Sequence, residues 1–140
     1  MIMMLQDSYN ESVVKMERLY FNKLYFVRTD DEIIADNLKI QFTKSYNFND
    51  DHTFCIVGFG CTVKSKDDKK INLEASIIGH FTCLGTSPEL RDNLLKKNSI
   101  AILFPYLRSQ ISLLTTQPEL SPIILPPMNI EAVFENASES

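Results

Sequence analysis

The sequence predicts an α+β domain: a four-stranded antiparallel meander sheet with a long C-terminal helix and a short last helix packed on one face. Two observations support this prediction. Between residues 13 and 84, four apolar-rich segments alternate with short polar stretches, as in antiparallel strands joined by tight turns. After residue 87, apolar residues recur at the three- and four-residue spacing of a helix.

Length and composition set the limits of this domain. The chain has 140 residues, 44% of them hydrophobic, which is enough for one domain with its own core. We expect residues 1–12 to form a loose N-terminal segment and residues 13–140 to form the single domain. The net charge of −4 argues against a nucleic-acid partner, because phosphate-binding surfaces need clustered Lys and Arg.

The four predicted strands differ in how cleanly they alternate. The strand from Val13 to Val27 has apolar residues at both odd and even positions, so we expect it to bury parts of both faces. The segment from Leu38 to Phe48 puts its apolar residues almost entirely on one face. The remaining strands are predicted from Thr53 to Lys64 and from Ile71 to Leu84.

Helical spacing begins after the fourth strand. Ser87 and Pro88 are a typical helix start, and a short helix is predicted to about Lys97. A second helical stripe covers residues 100–114, and Pro105 within it predicts a helix that starts or kinks there.

An extended crossover is expected after this stripe. Gln117 to Pro127 contains four prolines, which exclude a regular helix. Asn129 is predicted to cap the short last helix, which contains Val133 and Phe134.

No active site is predicted. The histidines, His52 and His80, lie far apart in sequence, and neither has a partner at metal-ligand spacing. Cys55, Cys61 and Cys83 lie in apolar strand-like segments, where cysteine behaves as a small buried hydrophobic residue. We therefore expect no cofactor, no metal and no enzymatic activity.

The expected compartment is the cytoplasm. The three cysteines indicate no disulfide framework and lie in apolar segments, which suggests a reducing environment, and residues 1–5 lack the basic start of a signal peptide. No stretch is long enough for a membrane span, so we expect no direct membrane insertion.

Apolar side chains exceed what a small monomer easily buries. Aromatic residues occur in every predicted strand, in the helical stripe over residues 100–114 and in the short last helix. One interpretation is an ordinary core plus a subunit interface, and the pattern alone favours it. The other is a groove that accepts apolar segments of other chains.

Two C-terminal motifs resemble a known family. The segment from Ile102 to Arg108, ILFPYLR, resembles the LFPYAR-type motif that opens a helix in SecB protein-export chaperones. The segment from Leu125 to Phe134, LPPMNIEAVF, resembles their LAPVNFDALF-type segment, and the spacing fits without a gap. Leu73 to Phe81 is similar to the fourth strand of the family, and Arg18 to Tyr20, more weakly, to its first strand.

The resemblance implies a homotetramer, a dimer of dimers with the long helices at the interface. It implies that unfolded or precursor polypeptides bind in long apolar grooves without ATP. Carried over residue by residue, the client-binding groove comprises Leu38, Ile40, Phe42, Ile71, Tyr106 and Phe134.

Two departures concern the export motor ATPase, which family members contact through an acidic patch on the sheet and a C-terminal tail. Glu74 matches one acidic position and is the candidate motor contact, but Lys23 and Val27 stand where acidic residues are expected. The sequence also ends at Ser140, soon after Phe134, so we expect client binding more firmly than motor docking.

Several functional hypotheses therefore remain open. The leading one is an ATP-independent holdase that keeps clients free of aggregation and competent for translocation. Some members of the family instead protect an antitoxin in a toxin–antitoxin system, which is the first alternative. A small-ligand-binding α+β domain and a purely structural assembly subunit are the others, and an enzyme ranks last.

Overall fold

The computed structural model describes residues 13–29, 38–66, 70–85, 87–126, 132–133 and 138–139. It contains five strands and one long helix within these residues. They are β1 (Val13–Arg28), β2 (Leu38–Phe48), β3 (Phe54–Ser65), β4 (Ile71–Leu84), α1 (Pro88–Leu114) and β5 (Ser138–Glu139). The predicted N-terminal segment, residues 1–12, lies outside the described residues.

The strands form one sheet in the order β1-β4-β3-β2-β5. Neighbours among the first four are antiparallel, and β5 runs parallel to β2. This confirms the predicted fold class, although the strand order differs in one respect. β2, β3 and β4 form the expected meander, whereas β1 pairs with β4 instead of β2. The nine residues between Arg28 and Leu38 can reach across the sheet end, since three strand spacings are only about 14 Å.

The first strand contains two bulges that explain its irregular pattern. Its pairing with β4 shifts between Met16 and Arg18 and again between Phe21 and Lys23, which leaves Glu17 and Asn22 as extra residues. At each bulge the core-facing positions change between even-numbered and odd-numbered residues. The expectation that β1 buries both faces is therefore wrong, because Tyr20, Tyr25 and Val27 on one face are exposed, whereas its partly buried apolar residues all pack against one core. These residues are Val14, Met16, Leu19, Phe21 and Phe26.

A single helix replaces the two helical segments that were predicted. α1 runs unbroken for 27 residues, about 40 Å, and the Ser87 Oγ accepts a hydrogen bond from the Leu90 N–H at its start. Pro105 lies inside the helix and is exposed. The carbonyl of Ala101, which loses its amide donor to this proline, therefore faces the side that water reaches.

The core lies between α1 and one face of the sheet. The helix packs chiefly on β4 and more lightly on the flanking strands β1 and β3. Alternate residues of β3 and β4 are buried beneath it, whereas the residues between them are half-buried on the opposite, open face. Among the described residues, no helix has the length and apolarity needed to cross a membrane.

Candidate functional site

β2 carries a row of apolar side chains on the core-facing side of the sheet. Leu38, Ile40, Tyr46 and Phe48 are half-buried, and Phe42 is buried at 7% exposure. We call these five residues the β2 apolar strip. α1 packs mainly on β4, and it contacts the strip at Phe42 and Tyr46. The sheet thus presents a partly covered apolar row along one of its margins.

An aromatic cluster joins the strip to the helix. The Phe42 and Phe59 rings stack at 5.6 Å between centroids, and the Phe104 ring meets Phe42 edge-on at 6.1 Å. Phe104 belongs to the C-terminal motif but was not predicted as a site residue, and Phe59 was missed altogether. Phe59 alternates with Val57 and Cys61, which predicts the face of β3 on which it lies. Only the strand register shows that Phe59 lies beside Phe42.

Two predicted positions, Leu38 and Ile71, meet at one end of the sheet through a shared neighbour. Leu38 pairs with Ser65 across β2 and β3, and the Ile71 N–H donates to the Ser65 Oγ at 3.3 Å. Ile71 is buried and pairs with Arg28 of β1. The guanidinium nitrogens of Arg28 are buried without a hydrogen-bond partner among the described residues. A carboxylate is the group that best satisfies such a cation.

The middle of the strip contains one charged residue. Lys44 lies between Phe42 and Tyr46 on the same face of β2, opposite Phe59, and is only 9% exposed. The Tyr46 hydroxyl donates to the Lys96 carbonyl oxygen of α1 at 3.3 Å. The strip therefore combines apolar surface with polar groups at fixed positions, as ligand-binding grooves commonly do.

Of the two remaining predicted groove residues, Tyr106 is not brought into this row. Tyr106 is 46% exposed, and it lies about 160° around the helix axis from Phe104, which faces β2. Phe134 lies outside the described residues. The nearby Val133 is helical and fully buried, as a member of the common core.

A second apolar surface lies on the outer side of α1. Leu113 and Ile124 are 69% and 63% exposed, and they line an open groove of about 480 Å³ between the helix and the segment that follows it. The Arg108 Nε donates to the Leu125 carbonyl oxygen at 2.6 Å, and the Ser112 Oγ donates to the Ile123 carbonyl oxygen at 3.2 Å. These bonds hold the segment along the helix.

The open face of the sheet carries mixed charge. Glu74, the candidate motor contact, forms an ion pair with Lys23. The Arg18 guanidinium lies 5.3 Å from the centroid of the Tyr20 ring on the same face. The strand register places more cations than carboxylates here among the described residues. They are Lys15, Arg18, Lys23, Lys39 and Lys64, against Glu17 and Glu74.

The histidines take part in ring contacts. His52 stacks on Phe48 at 4.5 Å, and its Nδ1 lies 3.4 Å from the Asp92 Oδ1. His80 lies 6.2 Å from the Tyr20 ring and 5.9 Å from the Phe54 ring. Within the described part of the chain, no group of three or more His, Cys, Asp and Glu side chains could hold a metal ion.

All three cysteines are buried and free of disulfides. Burial raises the pKa of the Cys55 thiol to about 11 and that of Cys61 to about 12, because the thiolate is poorly solvated there. The pKa of Cys83 is also raised by burial. Such thiols are poor nucleophiles at neutral pH, and their arrangement is that of core residues.

These features define a fold that is also found in a solved chaperone structure. The fold resembles that of a SecB-like chaperone from Mycobacterium tuberculosis, solved in complex with a ChAD peptide from the HigA1 antitoxin. The similarity has a TM-score of 0.65 and 14% sequence identity, and it covers 83% of this chain and 88% of that chain.

Sequence comparison then identifies the family. The family described as preprotein translocase subunit SecB matches residues 8–140, and the chain belongs to this family of chaperones. A protein-export protein SecB of Nitrosomonas europaea is 27% identical, covering 95% of this chain and 88% of that protein. The SecB of Saccharophagus degradans is 30% identical over 68% of this chain and 57% of that protein. An uncharacterised protein of Methanocaldococcus jannaschii is 32% identical over 78% of this chain and 72% of that protein.

Proposed function

We propose that this protein is an ATP-independent holdase that binds unfolded polypeptides along the β2 apolar strip and keeps them from aggregating. The observation that carries the proposal is the strip itself, four of whose five members are only half-buried although they lie beside the core. An extended client can place alternate side chains against such a row, since strand side chains repeat at the same two-residue period.

The site favours many weak contacts over one tight pocket. The strip spans the eleven residues of β2, and its aromatic members offer sequence-tolerant surface. Folded proteins bury the residues that would fill it, so selectivity for unfolded chains needs no energy source. Several such segments on one client add their affinities through multivalency.

Aggregation assays test the proposal directly. At several-fold excess and without nucleotide, the protein should slow aggregation of a chemically unfolded client. The paired substitution Leu38→Ser/Ile40→Ser should weaken client binding about tenfold or more, because two apolar contacts are lost. Lys39→Ser/Gln41→Ser, on the opposite face of the same strand, is the matched control and should bind like the wild type. Equal affinity of both variants would contradict the proposed site.

The proposal includes a homotetramer. Tyr106 and Leu113 lie seven residues apart on one exposed stripe of α1, and Ile124 lies near its end. This surface suits a helix-mediated contact between dimers, with Tyr106 at that contact or at the margin of the client groove. Light scattering should give four times the 16.1 kDa chain mass, and a strictly monomeric profile would contradict this part.

Clients and compartment complete the proposal. We place the protein in the cytoplasm, where precursors await export and where antitoxins are made. The antitoxin peptide bound by the M. tuberculosis chaperone supports a dedicated role as the alternative. Crosslinking clients to the chaperone in the native cell distinguishes the export role from the dedicated role. Recovery of many precursors with signal sequences indicates export, and recovery of one small antitoxin indicates the dedicated role.

A further inference from the structure

The outer edge of β2 is occupied by a short strand from the same chain. Ser138 and Glu139 form β5, which pairs in parallel with Thr43 and Lys44. β5 completes the five-stranded sheet at the margin that carries the β2 apolar strip. The edge is therefore able to accept an additional strand, because one is already paired there.

Among the residues that the structure describes, β5 pairs with only a short part of this edge. β2 has eleven residues and β5 pairs with two of them. In an antiparallel pair, alternate residues direct their N–H and C=O groups away from the partner strand, so such groups of β2 point toward its outer edge. The same strand thus presents a backbone edge and, on the core-facing side, the apolar side chains of the strip.

We propose that the outer edge of β2 pairs with the backbone of a bound extended polypeptide, and that β5 is an internal strand which the client displaces. This inference rests on the proposed client-binding function and specifies how the site is regulated. The partner it fits is an extended segment with alternating apolar side chains. Its backbone would bond to β2 while one set of its side chains lies over the strip.

The short length of β5 makes it displaceable. A two-residue strand forms few hydrogen bonds, and each contributes little net free energy in water. A longer client segment forms more of them and adds contacts with the strip. A client can pair with β2 only in the fraction of molecules in which β5 is unpaired. The apparent affinity for client is therefore lower than the affinity of the open edge, by a factor equal to that fraction.

Two variants of the full chain separate backbone pairing from side-chain effects. Ser138→Pro/Glu139→Pro removes both amide donors of β5, whereas Ser138→Ala/Glu139→Ala keeps them. The probe is a permanently unfolded polypeptide, reduced and alkylated α-lactalbumin. The proline variant should bind it about three- to tenfold more tightly than the wild type, and the alanine variant should match the wild type. Unchanged thermal unfolding of both variants shows that the fold is intact.

Hydrogen exchange on the wild type gives an independent measurement. At saturating probe, the amides of Ser138 and Glu139 should exchange faster, while those of Thr43 and Lys44 should not lose protection. Unchanged exchange at residues 138–139 would overturn the displacement.

The outcomes distinguish this inference from the proposed function. Tight wild-type binding with equal or weaker binding by the proline variant overturns the displacement and leaves the holdase intact. Tightening by the alanine variant as large as that by the proline variant also overturns it, because backbone pairing would then be irrelevant. Failure of the wild type and both variants to bind the unfolded probe contradicts the holdase itself.

Discussion

Lys23 of β1 and Glu74 of β4 form an ion pair on the open face of the sheet. Lys23 stands where members of the family are expected to carry an acidic residue, and Glu74 matches another acidic position. The carboxylate that resembles a motor contact is therefore neutralised by its neighbour. Both side chains keep contact with water, at 56% and 35% exposure for Lys23 and Glu74.

Reversing Lys23 should change stability only slightly. In Lys23→Glu two carboxylates face each other, but an exposed pair contributes less than about 1 kcal/mol, so we expect a loss of that size. The swap Lys23→Glu/Glu74→Lys restores opposite charges and should recover the loss. Urea unfolding of the wild type, the two single variants and the swap measures the coupling free energy. A coupling far above 1 kcal/mol would show that the pair is not screened by solvent.

Gly79 should tolerate a methyl group much less well than Gly58. A Cβ at Gly79 would lie 2.5 Å from the Phe81 ring and 3.1 Å from the Leu103 Cδ2, both fully buried. Overfilling a close-packed site costs about 1–3 kcal/mol, so Gly79→Ala should lose that much in free energy of unfolding.

Gly58→Ala is the matched comparison. Its Cβ would meet the Ser45 Oγ at 2.6 Å, and this hydroxyl can rotate away on the open face. We expect a change below about 1 kcal/mol. Equal losses in the two variants, measured by urea unfolding, would contradict the difference between the two faces.

Thr115 closes α1 with a buried hydroxyl that bonds in two directions. Its Oγ1 donates to the Ile111 carbonyl oxygen at 2.8 Å and accepts from the Ile123 N–H at 2.7 Å. Thr115→Val keeps the shape but leaves the Ile123 amide unsatisfied, which should cost about 1–3 kcal/mol. Thr115→Ser retains the hydroxyl and should lose less, as judged by thermal unfolding. Wild-type stability of the valine variant would contradict the assigned bonds.

The buried thiols predict a loss of stability at alkaline pH. Cys55 and Cys61 have folded-state pKa values of about 11 and 12, above the ordinary value of 9.0. The unfolded chain therefore releases these protons first, and stability should fall as the pH rises from about 9 toward 12. Urea midpoints across this range measure the slope. Cys61→Ala should flatten it, and an unchanged slope would show that other groups dominate.

The sequence pattern predicted where the strands lie, but it did not predict which strands pair with each other. Alternation from Leu38 to Phe48 predicted both the extent and the buried face of β2. It could not predict that β1 pairs with β4, because alternation specifies a face and not a partner. The mixed parity of β1 suggested two buried faces, whereas bulges at Glu17 and Asn22 keep one face toward the core.

Proline was the other source of error. Pro105 normally argues against a helix interior, but tertiary contacts of Phe104 and Leu107 on the buried side hold α1 together around it. The family motif was expected to open a helix at this segment, whereas the segment lies inside α1, which begins at Pro88. Local propensity was overridden by packing against the sheet.

The candidate site was predicted in part. Leu38, Ile40 and Phe42 lie in one row, as alternation requires, and Ile71 lies near its end. Alternation also places Lys44 in this row, but only strand register shows that Phe59 lies opposite it, and only the structure shows that Lys44 is buried. The pairing of Thr43 with Ser138 joins positions almost a hundred residues apart, and no local pattern could have indicated it.

The bulges in β1 also determine where this strand can change in length. Glu17 and Asn22 have no pairing partner of their own on β4, so losing either one would leave every other residue opposite its present neighbour. Loss of any paired residue would instead move the side chains that follow it, as far as the next bulge, to the opposite face of the sheet. Single-residue deletions in homologues should therefore accumulate at these two positions and be rare elsewhere in the strand.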